Sequence, residues 1–140
     1  MIDTRVFESG LGMMDRGLIA DAWETMPLIQ RAFPSRGDYV NHVIAQHEGL
    51  PTVQIAVRYH PMAGTQGGLV LLQQESPLVG TCLVIIHSYM GKSYRGNHRA
   101  QKELLKEALR VCRLNNIRWL VIPHMRDNGQ QLIYKEVKHG

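Results

Sequence analysis

A long apolar strand, a glycine-containing turn and an amphipathic helix follow one another in the middle of the chain. Residues 79–90 are rich in β-branched and other apolar side chains and predict a strand. Residues 97–114 predict a helix, since apolar side chains recur at helical spacing while the basic residues lie outside that stripe. The inner stripe consists of Ala100, Leu104, Ala108, Val111 and Cys112. A strand followed by such a helix favours a sheet covered by helices.

The rest of the chain supplies further strands and helices. The predicted strands are 2–8, 52–59, 69–73, 79–90 and 117–123. The predicted helices are 13–33, 39–47, 97–114 and 128–138. Pro27 is expected to kink or divide the first helix, because it lacks an N–H and crowds the preceding turn. The order β-α-α-β-β-β-α-β-α predicts a single α/β (α+β) domain over 1–140, with a mixed central sheet and helices on both faces.

Composition narrows the class of protein. The chain has 44% hydrophobic and 20% charged residues, as an ordinary globular domain does. Cys82 and Cys112 lie in apolar segments and are expected to be buried thiols in a reducing compartment. The longest apolar run, 82–86, is too short to cross a bilayer, and the N-terminus lacks the pattern of a secretion signal. We therefore expect a cytoplasmic protein without membrane attachment.

The positive charge is concentrated in one segment. Residues 92–118 carry eight Lys or Arg and two Glu, a net charge of +6, which leaves −2 for the rest because the total is +4. Such a segment attracts an anion, either a phosphorylated cofactor or nucleic acid. A solvated helix face is the alternative explanation of the same charges.

Residues 94–100 place this charge at the start of the central helix. They read Tyr-Arg-Gly-Asn-His-Arg-Ala. The first amide groups of a helix have no partner within it, and the helix dipole is positive there, so anions bind at such ends. Arg95 and Arg99 add full charges, and a pyrophosphate would match several converging N–H donors. The segment therefore predicts a phosphate-binding loop.

The same loop resembles the signature of the GNAT superfamily of N-acyltransferases, Arg/Gln-x-x-Gly-x-Gly/Ala. The matching residues are Tyr94, Arg95, Gly96, Asn97, His98, Arg99 and Ala100. Ala100 is an allowed substitute, but His98 replaces a glycine whose missing side chain lets the backbone approach the phosphates. A bulky side chain there is expected to hinder cofactor binding or to open the loop. Segments 104–108, 116–121 and 128–140 are similar to the helix, fifth strand and C-terminal region of the family, so the resemblance covers most of the chain.

The resemblance implies an acyl-CoA-dependent N-acyltransferase that moves an acyl group directly to an amine, with acetyl-CoA as cofactor and no metal. Backbone N–H groups near Tyr89 and Met90 would polarise the thioester. Tyr134 lies near the family's tyrosine, whose hydroxyl protonates the leaving thiolate. The residues expected to hold the pyrophosphate are Arg95, Gly96, Asn97, His98, Arg99 and Ala100.

Histidines are the remaining candidates for chemistry. His87, on the long strand, is the best candidate base because an imidazole titrates near neutral pH, although a half-buried strand histidine with no catalytic role is the simpler explanation. His42 and His47 lie five residues apart, about 140° around a helix. No Cys-x-x-Cys or His-Glu-x-x-His motif occurs. We therefore expect no metal site.

Two other functions remain open. The family normally continues beyond the position of Gly140 into two strands that wall the acceptor site, so we expect an open sheet edge that a protein partner or a second copy completes. The chain would then be a non-catalytic structural subunit of a larger assembly, such as a phage virion, and would be located in the virus particle. Alternatively, residues 92–118 would bind nucleic acid, although Tyr94 is the only aromatic residue in the basic stretch.

Overall fold

The structure is a computed structural model and describes residues 1–58, 64–91, 95–126 and 129–138. The strands are β1 (Ile2–Phe7), β2 (Thr52–Val57), β3 (Gly67–Ser76), β4 (Gly80–Met90), β5 (Trp119–Arg126) and β6 (Gly129–Glu136). The helices are α1 (Arg16–Thr25), α2 (Pro27–Ala32), α3 (Arg36–Gln46) and α4 (His98–Leu114). Within these residues, the six strands form one sheet in chain order. The sheet is mixed, since β4 and β5 are parallel and every other neighbouring pair is antiparallel.

Helices cover both faces of the sheet, as the sequence predicts. On one face α4 buries its apolar stripe against the strands, with Leu104, Ala108 and Cys112 at the centre of the contact. On the other face α1 and α3 pack on β3 and β4. Both predicted thiols, Cys82 and Cys112, are buried and free.

Local signals explain several helix ends. Asn97 caps α4, because its side-chain Oδ1 accepts a hydrogen bond from the Ala100 N–H at 3.1 Å. Asn116 follows the helix with a φ of 55°, in the left-handed region that asparagine tolerates. Pro27 divides the predicted long helix: α1 ends at Thr25, and Pro27 is the first residue of α2, where a missing N–H costs nothing.

The C-terminal element corrects the predicted order. Residues 128–138 were expected to form a helix, but β6 is a strand that pairs antiparallel with β5 from Trp119↔Glu136 to Arg126↔Gly129. The pairing satisfies the backbone of β5 on a side that would otherwise be an exposed edge. Beyond the strand, Val137 is buried against the α4 side of the sheet and donates its N–H to Arg118 O at 2.6 Å. Tertiary pairing therefore overrides the weak helical pattern of this segment.

In the part of the chain that the structure describes, no helix is both long enough and apolar enough to cross a membrane.

Candidate functional site

The strands β4 and β5 separate along their length. Their parallel pairing covers three residue pairs, Cys82↔Trp119, Leu83↔Leu120 and Val84↔Val121. β4 then continues to Met90 and β5 to Arg126 with no further pairing between the two. The carboxyl ends of parallel strands are where open α/β sheets bind ligands. The separation therefore opens the sheet at the position where a ligand site is expected.

A β-bulge lies where this separation begins. Val70 pairs with His87 and Leu71 with Ile85, so Ile86 has no partner on β3. A bulge bends its strand and redirects the following side chains, and bulges are common beside active sites. The three consecutive residues at the bulge, Ile85, Ile86 and His87, all line one cavity, although the Ile85 side chain packs in the cluster on the α4 face.

This cavity has a volume of about 420 Å³ and lies between the α1–α3 layer and the separated strands. Its lining residues are Met14, Ile19, Ala22, Met26, Ile29, Phe33, Tyr39, His42, Gln46, Ile85, Ile86, His87, Ser88, Tyr89, Pro123, His124, Met125 and Gln130. Most of these side chains are apolar, and the histidines, Tyr39 and Tyr89 supply the polar groups that can titrate. We call it the main cavity.

A smaller cavity of about 170 Å³ adjoins the main cavity on the side of the predicted phosphate-binding loop. We call it the loop cavity. Four residues line both cavities: Ala22, Met26, Ser88 and Tyr89. Arg95 lines the loop cavity but not the main cavity. The two cavities therefore adjoin at the end of β4.

The predicted phosphate-binding loop leads into the first turn of α4, and one of the amide groups there already has a hydrogen-bond partner within the chain. The Asn97 side chain accepts a hydrogen bond from the N–H of Ala100, and the Ala100 side chain is buried. By the hydrogen-bond pattern of a helix, the N–H groups of His98 and Arg99 remain available to a ligand. Arg95 Nη2 lies 3.8 Å from Asp21 Oδ2 on α1, so its charge is partly compensated. Tyr94 lies outside the described residues.

His87 lies in an apolar environment next to other histidines. Its ring centroid is 5.1 Å from that of His47. Burial, and to a lesser extent the nearby His47 and His42, lower the pKa of His87 to about 4. His87 is therefore neutral at neutral pH, and it can accept a proton only weakly.

His47 is fully buried, and the protonation of its Nδ1 follows from its contact. Its Nδ1 is 2.8 Å from Val43 O. A carbonyl oxygen only accepts, so Nδ1 carries a proton and donates it to Val43 O. The Nε2 of His47 has no hydrogen-bond partner among the described residues. Although His42 and His47 are about 140° apart around a helix, both lie close enough to His87 on the neighbouring strand to lower its pKa.

Tyr89 is a site residue whose side chain the sequence did not single out. Tyr89 lines both cavities, and its hydroxyl is buried with no hydrogen-bond partner in the described part of the chain. Burial, with a smaller effect from Asp15, raises the pKa of Tyr89, so the hydroxyl stays protonated and can donate. In the sequence, nothing distinguishes this tyrosine from any other in a strand; only the packing of α1 on β4 reveals it.

The structure thus places some of the predicted site residues in the cavities and others outside them. His87 and Tyr89 line the main cavity, and Tyr89, Met90 and Arg95 line the loop cavity. Gly96, Asn97, His98 and Arg99 are exposed at the start of α4, beside but not within either cavity. Tyr134 is half-buried on β6 opposite Val121, not on a helix, and lines neither cavity.

Comparisons with known proteins place this geometry in context. No family model matches the chain, and no curated protein matches it by sequence. Two solved structures are similar in three dimensions. An acetyltransferase of Trypanosoma brucei matches with a TM-score of 0.50 and 16% identity, over 90% of this chain and 84% of the other. An aminoglycoside acetyltransferase from an uncultured soil metagenomic sample matches with a TM-score of 0.53 and 13% identity, over 92% of this chain and 84% of the other. The chain therefore has the GNAT-like fold that its sequence predicts, which is the fold of these acetyltransferases.

Proposed function

We propose that this protein is an acyl-CoA-dependent N-acyltransferase, which transfers an acyl group from a coenzyme A thioester to an amine. One observation carries the proposal: β4 and β5 separate after Val84, and two cavities adjoin at the end of β4, one lined by His87 and the other by Arg95. A thioester ligand needs an anion site at one end and a reaction chamber at the other. The fold shared with two acetyltransferases adds support by analogy.

The end of β4 can supply a backbone donor to the acyl carbonyl. Gly91 N–H donates to Gln66 O at 2.7 Å, on the β3 side of the strand. Because successive N–H groups along a strand point to opposite sides, that of Met90 points away from β3, toward the opening. By the same rule the N–H of Tyr89 points toward β3. We infer that Met90 contributes its amide to the site, whereas Tyr89 contributes its side chain.

The start of α4 is the proposed pyrophosphate site. The amides of His98 and Arg99 and the guanidinium of Arg95 are the donors that the loop offers. His98 is exposed and lines neither cavity, so its side chain does not occupy the space where the two cavities adjoin. Bound acyl-CoA would supply the activated acyl group.

Two side chains on one face of β4 are placed to move protons. His87 and Tyr89 are two residues apart on the strand and therefore point to the same side. In the transfer, the amine nitrogen forms a bond to the acyl carbon while the carbon–sulfur bond breaks. The proton that the amine releases goes to His87, and the leaving thiolate takes a proton from the Tyr89 hydroxyl, which solvent replaces. We propose Tyr89 as this donor in preference to Tyr134, which lines neither cavity.

Calorimetric titration with acetyl-CoA tests the cofactor site. A ligand present at 100 times its Kd should stabilise the fold by about 2.7 kcal/mol, which thermal unfolding can follow. Arg99→Ala should weaken binding several-fold, whereas Arg113→Ala, the same change at the far end of α4, should leave it unchanged. His98→Gly binding more tightly than wild type would show that His98 obstructs the loop. Absence of binding in both wild type and His98→Gly would contradict the proposed function.

Turnover tests the roles of the two tyrosines. Tyr89→Phe should lower kcat about 100-fold or more, in the range that one proton donor contributes. Tyr134→Phe is the matched control and should leave kcat unchanged. The reverse result would assign the donor to Tyr134, as the resemblance implies.

A structural subunit is a second candidate function, and the edge of the sheet favours it. β6 is the last strand of the sheet and exposes Leu132 and Ile133. An unpaired edge with apolar side chains can pair with another chain. Light scattering over a range of concentrations would test this, with Ile133→Lys as the disrupting variant. A monomer at every concentration would contradict self-assembly through this edge.

A further inference from the structure

The described residues that line the main cavity include no carboxylate that could neutralise a cation. Among the described residues that line it, none is Asp, Glu, Lys or Arg. An alkylamine is a cation at neutral pH, and a cation loses its hydration when it enters an apolar cavity unless a counter-charge is present. The cavity therefore disfavours the amines that most proteins would bind through a carboxylate.

The walls suit a flat, apolar ligand. The Phe33 ring lies between two others, with centroids 5.4 Å from Tyr39 and 4.7 Å from His42. Met14 and Met26, which flank α1, and Met125 on β5 complete the apolar lining. Aromatic rings and thioethers pack favourably against the ring of a ligand. A volume of about 420 Å³ is within the range that holds a small organic molecule.

The proton acceptor in the cavity is also suited to an uncharged amine. His87 lines the main cavity, and burial keeps its pKa low, at about 4. Such a group cannot remove a proton from an alkylammonium ion, whose pKa is far higher. It can accept the proton that an amine releases as its nitrogen bonds to the acyl carbon.

We propose that the acceptor is an aromatic amine, in which the amino group is attached directly to an aromatic ring and is uncharged at neutral pH. The ring lies among Phe33, Tyr39 and the methionines, with the amino group toward His87. This assignment rests on the proposed function, because it makes the main cavity the acceptor side of an acyltransferase.

Calorimetry on the full chain at pH 7.5 tests the proposal with a matched pair of probes. 4-Methylaniline is uncharged at this pH, whereas 4-methylbenzylamine carries the same ring and a positive charge. We expect 4-methylaniline to bind at least about tenfold more tightly, both alone and in the presence of acetyl-CoA, which corresponds to about 1.4 kcal/mol. Tighter binding of 4-methylbenzylamine or of spermidine would overturn the proposal.

A charge placed in the cavity wall should change this preference. His42 is exposed and lines the main cavity, so His42→Glu adds a carboxylate there with little risk to folding. The variant should raise the affinity for 4-methylbenzylamine several-fold. Asn41→Glu adds a carboxylate to the neighbouring exposed residue of α3, outside the cavity lining, and should have no such effect. An equal gain in both variants would overturn the assignment of the cavity as the amine site.

The same titrations separate the two ideas. If acetyl-CoA binds and neither amine does, the aromatic-amine proposal fails and the proposed function stands. If 4-methylaniline binds and acetyl-CoA does not, the proposed function fails, and the cavity keeps its preference for an uncharged aromatic amine.

Discussion

The face of the sheet that α4 covers and the face that α1, α2 and α3 cover are filled to different extents. On the α4 face, a single cluster of buried side chains joins the helix to four strands and to Val137. On the opposite face the buried cluster is smaller, and the main cavity lies beside it. The unpaired hydroxyl of Tyr89 belongs to this second face.

The helices explain the difference. α4 is one uninterrupted helix of 17 residues with a continuous apolar stripe. The opposite layer consists of three shorter helices, which Pro27 and the turn before Arg36 interrupt. Short helices at changing angles cannot fill a sheet surface evenly, and the gap that they leave reaches the separated ends of β4 and β5. One face therefore stabilises the fold, and the other provides room for a ligand.

The largest difference between the faces should appear when a side chain is shortened. Leu104 on α4 is 2% exposed, and Leu104→Ala should lower the free energy of unfolding by about 3 to 5 kcal/mol because it leaves a cavity in a close-packed core. Ile29→Ala, at the wall of the main cavity, should cost about 1 kcal/mol, since part of the side chain is already without neighbours. Urea unfolding of both variants measures the two values. Equal losses would show that the second face is packed as tightly as the first.

The next largest effect is a dependence of stability on pH. It arises on the face of the sheet that α1, α2 and α3 cover, which we call the cavity face. The pKa of His87 is lowered from 6.5 to about 4 in the folded state, so the unfolded chain binds the proton more readily. Stability from this residue is complete above pH 6.5, falls as the pH drops through that window, and is fully lost below about pH 4. The loss corresponds to about 3 kcal/mol.

Urea unfolding of wild type and His87→Gln at pH 7 and at pH 4 measures this effect. Carboxylates titrate in the same range in both proteins, so the difference between the two isolates the histidine. Wild type should lose about 3 kcal/mol more than the variant between the two pH values. Parallel curves would mean that His87 is hydrated and that its environment is not apolar.

The two faces also differ in how far the sequence predicts them. The strong period of 97–114 and the asparagines at its ends predict α4 correctly, because a helix that packs on a sheet must show an apolar stripe. Pro27 predicts the division of the first helix for a local reason. The segment 128–138 was predicted wrongly because its conformation depends on pairing with β5. No local pattern within the segment indicates that β5 has an edge available for pairing.

The candidate site shows the same limit. The loop 95–100 is visible in the sequence because its glycine, arginines and helix start are consecutive residues. The bulge at Ile86 and the cavity behind it depend on how β4 pairs with β3 and on which helices pack above it. The hydroxyl of Tyr89 becomes a site feature only through that packing. Local motifs therefore indicate the anion end of the site, and tertiary structure defines the reaction chamber.

Two buried polar side chains on the cavity face should have smaller and opposite effects on the free energy of unfolding. Gln54 is fully buried and hydrogen-bonded: its Oε1 accepts from Met13 N–H at 2.7 Å and its Nε2 donates to Thr52 Oγ1 at 3.2 Å. Gln54→Leu should lower the free energy of unfolding by about 2 kcal/mol, because it leaves the Met13 amide buried and unpaired. Tyr89→Phe should raise it by about 1 kcal/mol, since it removes a hydroxyl that has no protein partner. A loss of stability in Tyr89→Phe would show that the hydroxyl is hydrated or bonded in the free protein.

The smallest effect concerns the ion pair at the mouth of the loop cavity. Arg95 and Asp21 are 3.8 Å apart and both partly exposed, so Asp21→Asn should change the free energy of unfolding by less than about 1 kcal/mol. Its effect on an anionic ligand should be clearer, because the change removes a negative charge beside the proposed pyrophosphate site and frees Arg95. We expect the Kd for acetyl-CoA to fall about threefold, which calorimetry at low salt can resolve.

Glu24→Gln is the matched control for that change. Glu24 lies on the same helix as Asp21 and pairs with Arg36 at 2.6 Å, so the variant removes the same charge and also breaks an ion pair. It lines neither cavity, and its effect on the Kd should be small. If both variants tighten binding equally, the gain reflects net charge rather than release of Arg95. If Asp21→Asn alone does so, Arg95 is the residue that joins the anion end of the site to the cavity face.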